Sequence, residues 1–379
     1  MFASLLLAAG PEMSAQAPAD DYFMYLGTYT DHGAKGIYAY LFQPSTGKLT
    51  SMGAVATTPN PSFLVVHPNG RFLYAANESN PAIPAGKDNY VSAFAINQAT
   101  GQLTFLNNVS ARGGWPCHVS IDKTATTLFV ANYATGSVAS FPIQEDGKLG
   151  NAVTVEQHKG KSVNPERQEG PHAHFLAPSP DNRFALSADL GTDQILVYRF
   201  DPATRKLTPN NPPFATLKPG AGPRHLAFSP DARFVYVNGE LDSTVTAFAY
   251  DAAAGTLKTL QTVSTLPAGF KGINSTAEIQ IDKAGKTLFV SNRGDDSLAI
   301  FSIDKTSGKL TAAGRVPTGG KTPRFFTLDP TEKFLFAGNQ ESNTVTVFKV
   351  NASTARLTPM QTLKDVPEAV SIVFVPIKH

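Results

Sequence analysis

The sequence has one cysteine, no long apolar run and no excess of charge of either sign. Cys117 alone excludes an intramolecular disulfide and a metal site built from several cysteines. No stretch reaches the roughly 18 to 20 apolar residues that a membrane-spanning helix needs. Lysine and arginine total 32 and aspartate and glutamate total 30, which leaves a formal charge of +2. This balance argues against nucleic-acid and membrane-surface partners, which select for a concentrated basic excess.

What the sequence does contain is typical of a folded β protein. Hydrophobic residues make up 42% of the chain and charged residues 16%, which excludes a disordered chain. The 30 glycines, 28 prolines and 25 phenylalanines indicate many turns between short, well-packed strands. A length of 379 residues by itself favours two or three domains.

The N-terminus resembles the end of a secretory signal peptide. A short apolar run over residues 2–10 is followed by small residues, with a plausible cleavage position after Ala19. Because the usual basic residues before the apolar run are missing, the alternative is a disordered leader. We therefore expect a leader over 1–19, a single domain over 20–379, and a periplasmic or secreted protein, with a cytoplasmic one as the alternative.

An internal repeat predicts the fold. One unit reads apolar strand, polar turn, apolar strand, and it recurs without gaps as the 18-residue segments 61–78, 116–133, 173–190, 223–240, 276–293 and 323–340. A second marker, a leucine after a turn, recurs seven times, at Leu49, Leu103, Leu149, Leu207, Leu257, Leu310 and Leu357. A period near 50 residues with four strands per unit predicts a β-propeller.

Seven leucines but six complete hairpins indicate that one blade is split between the chain ends. Its second strand is predicted over Tyr22–Tyr29 and its first over Ala369–Val375. Pairing them closes the ring and removes exposed sheet edges. The sequence thus predicts an all-β, seven-bladed propeller with four-stranded antiparallel blades, and the repeat overrides the length argument for several domains.

The repeat also predicts a site. First strands begin and second strands end on the same face, beside the central channel, and a purely structural repeat would keep these positions alike. Here they vary from blade to blade and carry most of the candidate residues: Glu78, His118, His174, Arg224, Glu240, Glu278, Arg293, Arg324 and Gln340. A long insertion over 157–170 adds Arg167 and Gln168 and leads into His172. Converging polar residues at a concave mouth predict a ligand site.

With these residues noted, the chain resembles the seven-bladed propeller lactonases, which include bacterial 6-phosphogluconolactonases and fungal carboxy-cis,cis-muconate cyclases. The segments that carry the resemblance are YLGTYT (25–30), NPSFLVVHPNGRFLYAANE (60–78), PCHVSIDK (116–123), RQEGPHAH (167–174), PGAGPRHLAFSP (219–230), GELDSTVTAF (239–248) and VSNRGDDSLAIF (290–301). The resemblance implies catalytic roles for a histidine, two arginines and a glutamate, which fall on His172 or His174, Arg224, Glu240 and Arg293.

Lactone hydrolysis suits these residue types. A neutral histidine can activate water, and arginines can bind an anion and stabilise an oxyanion. Glu240 either orients its neighbours or acts as the acid/base itself. The remaining mouth residues, His118, Arg167, Gln168, Glu278, Arg324, Gln340 and Glu78, are predicted to bind substrate. His174 aligns with Arg224 in the repeat, which favours it over His172.

The resemblance makes a sugar-acid lactone, with 6-phosphogluconolactone first, the expected small-molecule substrate. The alternatives are a cyclase of the muconate type and a non-catalytic exported propeller that binds a ligand or protein. The sequence contains no HExxH, EF-hand, dinucleotide-binding or P-loop motif, so we expect neither a metal nor a cofactor. It also shows no feature of an obligate protein partner.

Overall fold

The computed structural model describes residues 21–78 and 89–378, so the predicted leader over 1–19 lies outside the described residues. These residues form seven four-stranded antiparallel sheets, which are the blades of a propeller. In the described part of the chain, no helix is long and apolar enough to cross a membrane.

The strands follow the repeat closely. The split blade contains β1 (Tyr22–Thr28), β2 (Gly36–Gln43) and β3 (Lys48–Thr57), with β28 (Ala369–Pro376) as its first strand. The next two blades contain β4 (Pro61–Val66), β5 (Phe72–Asn77), β6 (Tyr90–Ile96) and β7 (Leu103–Ser110), then β8 (Pro116–Ile121), β9 (Thr127–Asn132), β10 (Ser137–Pro142) and β11 (Thr154–Gln157). The fourth blade contains β12 (Ala173–Pro178), β13 (Phe184–Asp189), β14 (Gln194–Asp201) and β15 (Lys206–Thr216).

The last three blades complete the ring. They contain β16 (Pro223–Phe228), β17 (Phe234–Gly239), β18 (Thr244–Asp251) and β19 (Thr256–Ser264), then β20 (Ser275–Ile281), β21 (Thr287–Arg293), β22 (Ser297–Ile303) and β23 (Leu310–Pro317), then β24 (Pro323–Leu328), β25 (Phe334–Asn339), β26 (Thr344–Val350) and β27 (Leu357–Leu363). The predicted split blade is confirmed, because β1 pairs antiparallel with β28 from Tyr22 opposite Pro376 to Thr28 opposite Ala369.

The first strand of each blade is the innermost one. Consecutive first strands contact each other in a closed ring that runs β28, β4, β8, β12, β16, β20, β24 and back to β28. Apolar side chains fill the space between blades; Phe42 of the split blade, for example, meets the rings of Phe334 and Phe336 edge-on at 5.8 and 5.2 Å between centroids. Edge-to-face packing of this kind adds to the burial of the rings themselves.

A β-bulge near the start of every first strand aims side chains at the channel mouth. In six of the seven blades, the split blade included, the pairing with the second strand shifts at the second residue of the first strand, and in β20 it shifts at the third residue, Ala277. A bulge leaves its extra residue out of the ladder and turns that side chain. The seven residues at these positions are Ser62, Cys117, His174, Arg224, Ala277, Arg324 and Val370.

Candidate active site

One mouth of the channel holds a polar cavity of about 380 Å³. Its lining consists of Glu78, Trp115, Tyr133, Arg167, His174, Glu240, Ser275, Arg293 and Arg324. Six of these are among the twelve residues that the sequence predicts for the site. They come from six different segments of the chain, and the antiparallel hairpins and the bulges bring them together.

Glu240 is the centre of the charged group. Its Oε2 lies 3.1 Å from Nε of Arg224 and 3.0 Å from Nη2 of Arg293, and its Oε1 accepts a 2.9 Å bond from Nη2 of Arg167. Burial by itself would raise the pKa of this carboxyl, but Arg293 and Arg224 outweigh burial and hold the pKa well below its usual range. Glu240 is therefore ionised and fixes three guanidinium groups around one carboxylate.

The arginines are also anchored to the neighbouring innermost strand. Arg224 Nη1 donates to the carbonyl of Ala277 over 2.5 Å, and Arg293 Nη2 donates to the carbonyl of Thr276 over 2.9 Å. Burial, together with the nearby Arg293, lowers the pKa of Arg224 to about 10, so the group is still a cation at neutral pH. The Nε atoms of Arg224 and Arg293 are buried and make no hydrogen bond within the described residues. Arg224 is buried and lies outside the lining of the cavity, so it acts on the site through its charge.

His174 stands beside this charged group. It is the bulge residue of β12, it is buried, and it lines the cavity. Its Nδ1 lies 3.8 Å from Sγ of Cys117, and its ring meets those of Tyr133 and His225 edge-on. Burial and the positive charge of Arg224 hold the pKa of His174 well below its usual value. The imidazole is therefore neutral, which is the form that accepts a proton from water.

His172 takes a different position. It precedes β12, and it is not among the residues that line the cavity. Its Nδ1 lies 3.0 Å from the carbonyl oxygen of Tyr133 and its Nε2 lies 3.1 Å from Oε1 of Glu169. Its ring also stacks on Tyr133 with 4.6 Å between centroids. Both nitrogens are thus engaged, so the structure favours His174 as the histidine that meets substrate.

A second charged group contains Tyr29, Glu78 and Arg324. Arg324 Nη2 donates to the Tyr29 hydroxyl over 2.9 Å, and that hydroxyl donates to Oε2 of Glu78 over 2.5 Å. The Arg324 and Glu78 charges themselves are 3.6 Å apart. Counting both groups, four arginines face two carboxylates, so the mouth has a surplus of two positive charges. A cavity with this surplus attracts an anion.

Two residues predicted to bind substrate lie in a layer beneath the mouth. His118 is buried between Phe63 and Phe175, with ring centroids 4.4 and 4.2 Å away. Glu278 is buried with Oε2 at 3.0 Å from Nδ1 of His225, and burial raises the pKa of its carboxyl to about 8. Both lie outside the cavity lining, so they support the mouth from below.

Gln168 and Gln340 are also placed away from the cavity lining. Gln168 is fully buried, where its amide donates to the carbonyl of Leu190 over 2.9 Å and accepts from the amide of Asn164 over 3.1 Å. These bonds hold the insertion in the shape that brings Arg167 to Glu240. Gln340 is bonded through its backbone to the carbonyl of Thr322.

Two aspartates that the sequence did not single out tie the insertion to the propeller. Asp189 accepts a 2.9 Å hydrogen bond from the backbone amide of His172 and a 2.6 Å hydrogen bond from Nδ1 of the buried His158. Asp193 accepts from the hydroxyl of Ser162 over 2.5 Å and from the amide of Gly222 over 2.7 Å. Buried carboxylates of this kind fix loops because they satisfy backbone donors that turns leave free.

The aromatic wall of the cavity also escaped prediction. Tyr133 directly follows a second strand, as Glu78 and Glu240 do, and that repeat position is the signal that could have identified it. Trp115 directly precedes a first strand, where the repeat gave no hint of a functional residue. Among the described residues, no three His, Cys, Asp or Glu side chains are grouped so that they could hold a metal ion.

A family model, related protein sequences and solved structures all match this chain. A family model described as lactonase, seven-bladed β-propeller, matches residues 23–374. A 6-phosphogluconolactonase of Bacillus subtilis is 36% identical over 353 residues, which are 93% of this chain and 98% of that protein. A 6-phosphogluconolactonase of Formosa agariphila is 33% identical over 315 residues, 82% of this chain and 87% of the relative. The structure of a Pseudomonas aeruginosa periplasmic gluconolactonase superposes with a TM-score of 0.88 at 34% identity, covering 94% of this chain and 100% of the other.

Proposed function

The chain belongs to the seven-bladed β-propeller lactonase family, and from that premise we propose that it hydrolyses 6-phosphogluconolactone to 6-phosphogluconate at the channel mouth. The observation that carries this proposal is the grouping of Arg167, Arg224 and Arg293 around Glu240 beside the neutral His174. This arrangement supplies a base and fixed positive charge in one cavity, and ester hydrolysis needs both.

The reaction proceeds in two proton-balanced steps. His174 accepts a proton from water as the water oxygen bonds to the lactone carbonyl carbon, and the carbonyl oxygen becomes an oxyanion. The ring C–O bond then breaks, and the imidazolium returns its proton to the leaving ring oxygen, which becomes a hydroxyl group. The products are the open-chain acid and an unchanged enzyme.

Arg293 and Arg224 stabilise the oxyanion in this scheme. Their positive charges are fixed beside the cavity by Glu240, and groups that are already oriented need no rearrangement during the reaction. Glu240 is a positioning residue, because a carboxylate bound by three arginines is too weak a base to take a proton from water. It keeps the guanidinium groups in one geometry.

The charge of the mouth supports a phosphorylated substrate. A phosphate monoester carries about −1.5 to −2 charges at neutral pH, which matches the surplus of two positive charges around the cavity. Unphosphorylated gluconolactone has no charge to match. The surplus itself lies around Glu240, where three arginines meet one carboxylate, whereas Arg324 is balanced by Glu78. Because the arginines around Glu240 are assigned to the reacting carbonyl, we assign the phosphate to Arg324, which lines the cavity apart from them.

The proposed compartment rests on other observations. The apolar run and small residues before residue 20, and the periplasmic relative from Pseudomonas aeruginosa, favour export to the periplasm. The Bacillus subtilis relative has the name of an enzyme for the phosphorylated lactone. A cytoplasmic location is the alternative, and fractionation of the source cells, with detection of the protein in each fraction, discriminates between the two.

The test is hydrolysis of three lactones by the purified protein, corrected for spontaneous hydrolysis, with and without a chelator. The substrates are 6-phosphogluconolactone, unphosphorylated gluconolactone and carboxymuconolactone. We expect the highest kcat/KM for the phosphorylated lactone, unchanged by the chelator. Preference for gluconolactone would contradict the phosphate assignment, and preference for carboxymuconolactone would favour the cyclase alternative. Hydrolysis of none of them would overturn the proposal and favour a binding protein.

A further inference from the structure

We propose that Trp115 is a stacking platform for the six-membered ring of the substrate, so that this enzyme selects ring-closed sugars by an aromatic contact. The inference deepens the proposed function and rests on it. It comes from the backbone conformation of Trp115, its place in the cavity wall and the column of rings behind it.

The backbone at Trp115 is in a conformation that tryptophan disfavours. The residue directly before the first strand has a positive φ in five blades, which are Asn60 at 40°, Trp115 at 55°, Gly222 at 63°, Thr322 at 58° and Glu368 at 39°. This left-handed region suits glycine and asparagine, whereas a bulky side chain is strained there. Such strain, where surrounding structure enforces it, often marks a residue needed for its side chain.

The surrounding structure holds the Trp115 backbone in this left-handed conformation. The Trp115 amide donates to Oδ1 of Asn89 over 2.8 Å, and its carbonyl accepts from the amide of Tyr133 over 2.8 Å. The indole is half-buried and lines the same cavity as His174 and Glu240. A residue better suited to this backbone would leave that part of the wall empty.

Two further rings support the indole. Trp115 lies nearly parallel to Tyr133, with 10° between the planes and 6.4 Å between centroids, and Tyr133 in turn stacks on His172 at 17° and 4.6 Å. The Tyr133 hydroxyl is held by Nη2 of Arg167 over 2.9 Å. The cavity thus has an aromatic wall of fixed orientation next to its charged groups.

An aromatic wall next to charged groups matches the two kinds of surface that a pyranose-type lactone presents. The C–H face of a six-membered sugar ring is apolar and flat enough to lie on an indole, while its oxygens and its phosphate reach the charged groups. The open-chain product has no ring to stack. The platform therefore favours the lactone over the acid that it becomes, which helps release the product.

The chain offers a direct readout, because Trp115 is its single tryptophan. The probe is glucose 6-phosphate, a ring-closed sugar phosphate without a lactone, and the control is sorbitol 6-phosphate, its acyclic counterpart. Tryptophan emission is titrated with each, and inhibition of lactone hydrolysis is measured in parallel. We expect a saturable emission change and inhibition with glucose 6-phosphate, both at least about tenfold weaker with sorbitol 6-phosphate. Equal effects of the two, or none with glucose 6-phosphate, would overturn the platform.

Kinetics of variants give a second test. Trp115→Gly is expected to raise KM for 6-phosphogluconolactone about tenfold while its thermal midpoint changes little, because relief of the left-handed backbone offsets part of the lost contact with Tyr133. Trp115→Phe keeps a ring and is expected to restore most of the affinity. Thr322→Gly, the same change at the equivalent position of another blade, is the matched control and leaves KM unchanged. A Trp115→Gly variant with the same KM as the wild type would contradict the proposed stacking role of Trp115.

These outcomes are separable from failure of the proposed function. If the lactone is not the substrate, the wild-type protein fails to hydrolyse it, and all variants fail with it. The emission titration with glucose 6-phosphate needs no turnover and still reports whether a ring-closed sugar reaches Trp115.

Discussion

Arg224 Nε lies 3.1 Å from Oε2 of Glu240, yet the two groups form an ion pair without an aligned hydrogen bond. The charges are therefore held together while the N–H donor remains unused. Arg293 meets the same carboxylate through Nη2, which also donates to the carbonyl of Thr276. Glu240 thus fixes both positive charges, and the proposed oxyanion stabilisation depends on that fixed charge.

Neutralising Glu240 is the first prediction. Glu240→Gln leaves three guanidinium groups without their common carboxylate, so we expect kcat/KM to fall about 100-fold or more. The free energy of unfolding should fall by about 3 kcal/mol, at the lower end of the cost of breaking a buried ion pair, because Arg167 is partly exposed. Steady-state kinetics and urea unfolding measure both. Glu166→Gln, an exposed change in the same insertion, is the control and should alter neither.

The two histidines of the PHAH segment, His172 and His174, should differ clearly in how much their substitution lowers kcat. We predict that His174→Asn lowers kcat by about 10² to 10⁴, as loss of a general base does, whereas His172→Asn costs less than about tenfold. The reason is placement, since His174 lines the cavity and both nitrogens of His172 are bonded elsewhere. The measurement is kcat on 6-phosphogluconolactone. A larger loss in the His172 variant would reverse the assignment.

The pH profile offers a further check on His174. Because burial and Arg224 lower the pKa of its imidazole well below 6.5, the free enzyme keeps the base neutral through mildly acidic conditions. The acidic limb of kcat/KM should therefore have its midpoint well below pH 6.5. A midpoint near pH 6.5 or above would mean that another group is the base.

The repeat predicted where the mouth residues lie but not where all of their side chains point. Alignment places Arg224 and His225 at neighbouring strand positions, and the bulge in β16 decides how each side chain is directed. For the same reason His174 reaches the cavity while His118 lies beneath it. Strand position follows from sequence period alone, whereas bulge geometry depends on the pairing with the second strand.

Other parts of the site depend on contacts between distant segments. Asp193 holds the insertion by accepting from Ser162 and Gly222, and nothing local distinguishes it from the many turn aspartates of the chain. Trp115 is recognisable only in the structure, from its backbone dihedral, its place in the cavity wall and the ring that it stacks on. The fold itself was predictable because the sequence contains six complete copies of the hairpin unit and seven copies of the leucine marker.

The buried Glu278 should make stability depend on pH. Its folded pKa of about 8 lies above the ordinary value of 4.5, so the folded state retains a proton that the unfolded chain has lost between these values. This contribution is fully present below about pH 4.5 and is lost as pH rises through about 8. Relative to the wild type, Glu278→Gln should therefore gain stability across this window, by at most about 1.4 kcal/mol per pH unit. Urea unfolding of both proteins from pH 5 to 9 measures the difference, and a constant difference would contradict the assignment.

Arg324 should determine how strongly the enzyme prefers the phosphorylated lactone over gluconolactone. Its guanidinium is held over the Tyr29 ring and bonded to the Tyr29 hydroxyl, apart from the arginines that surround Glu240. If it binds the phosphate, Arg324→Ala raises KM for 6-phosphogluconolactone about 10- to 100-fold and leaves hydrolysis of gluconolactone nearly unchanged. Arg293→Ala is the matched comparison, because loss of an oxyanion donor lowers kcat for both lactones alike. An equal loss on both substrates in the Arg324 variant would place Arg324 with the reacting carbonyl. The phosphate would then have to bind elsewhere on the mouth.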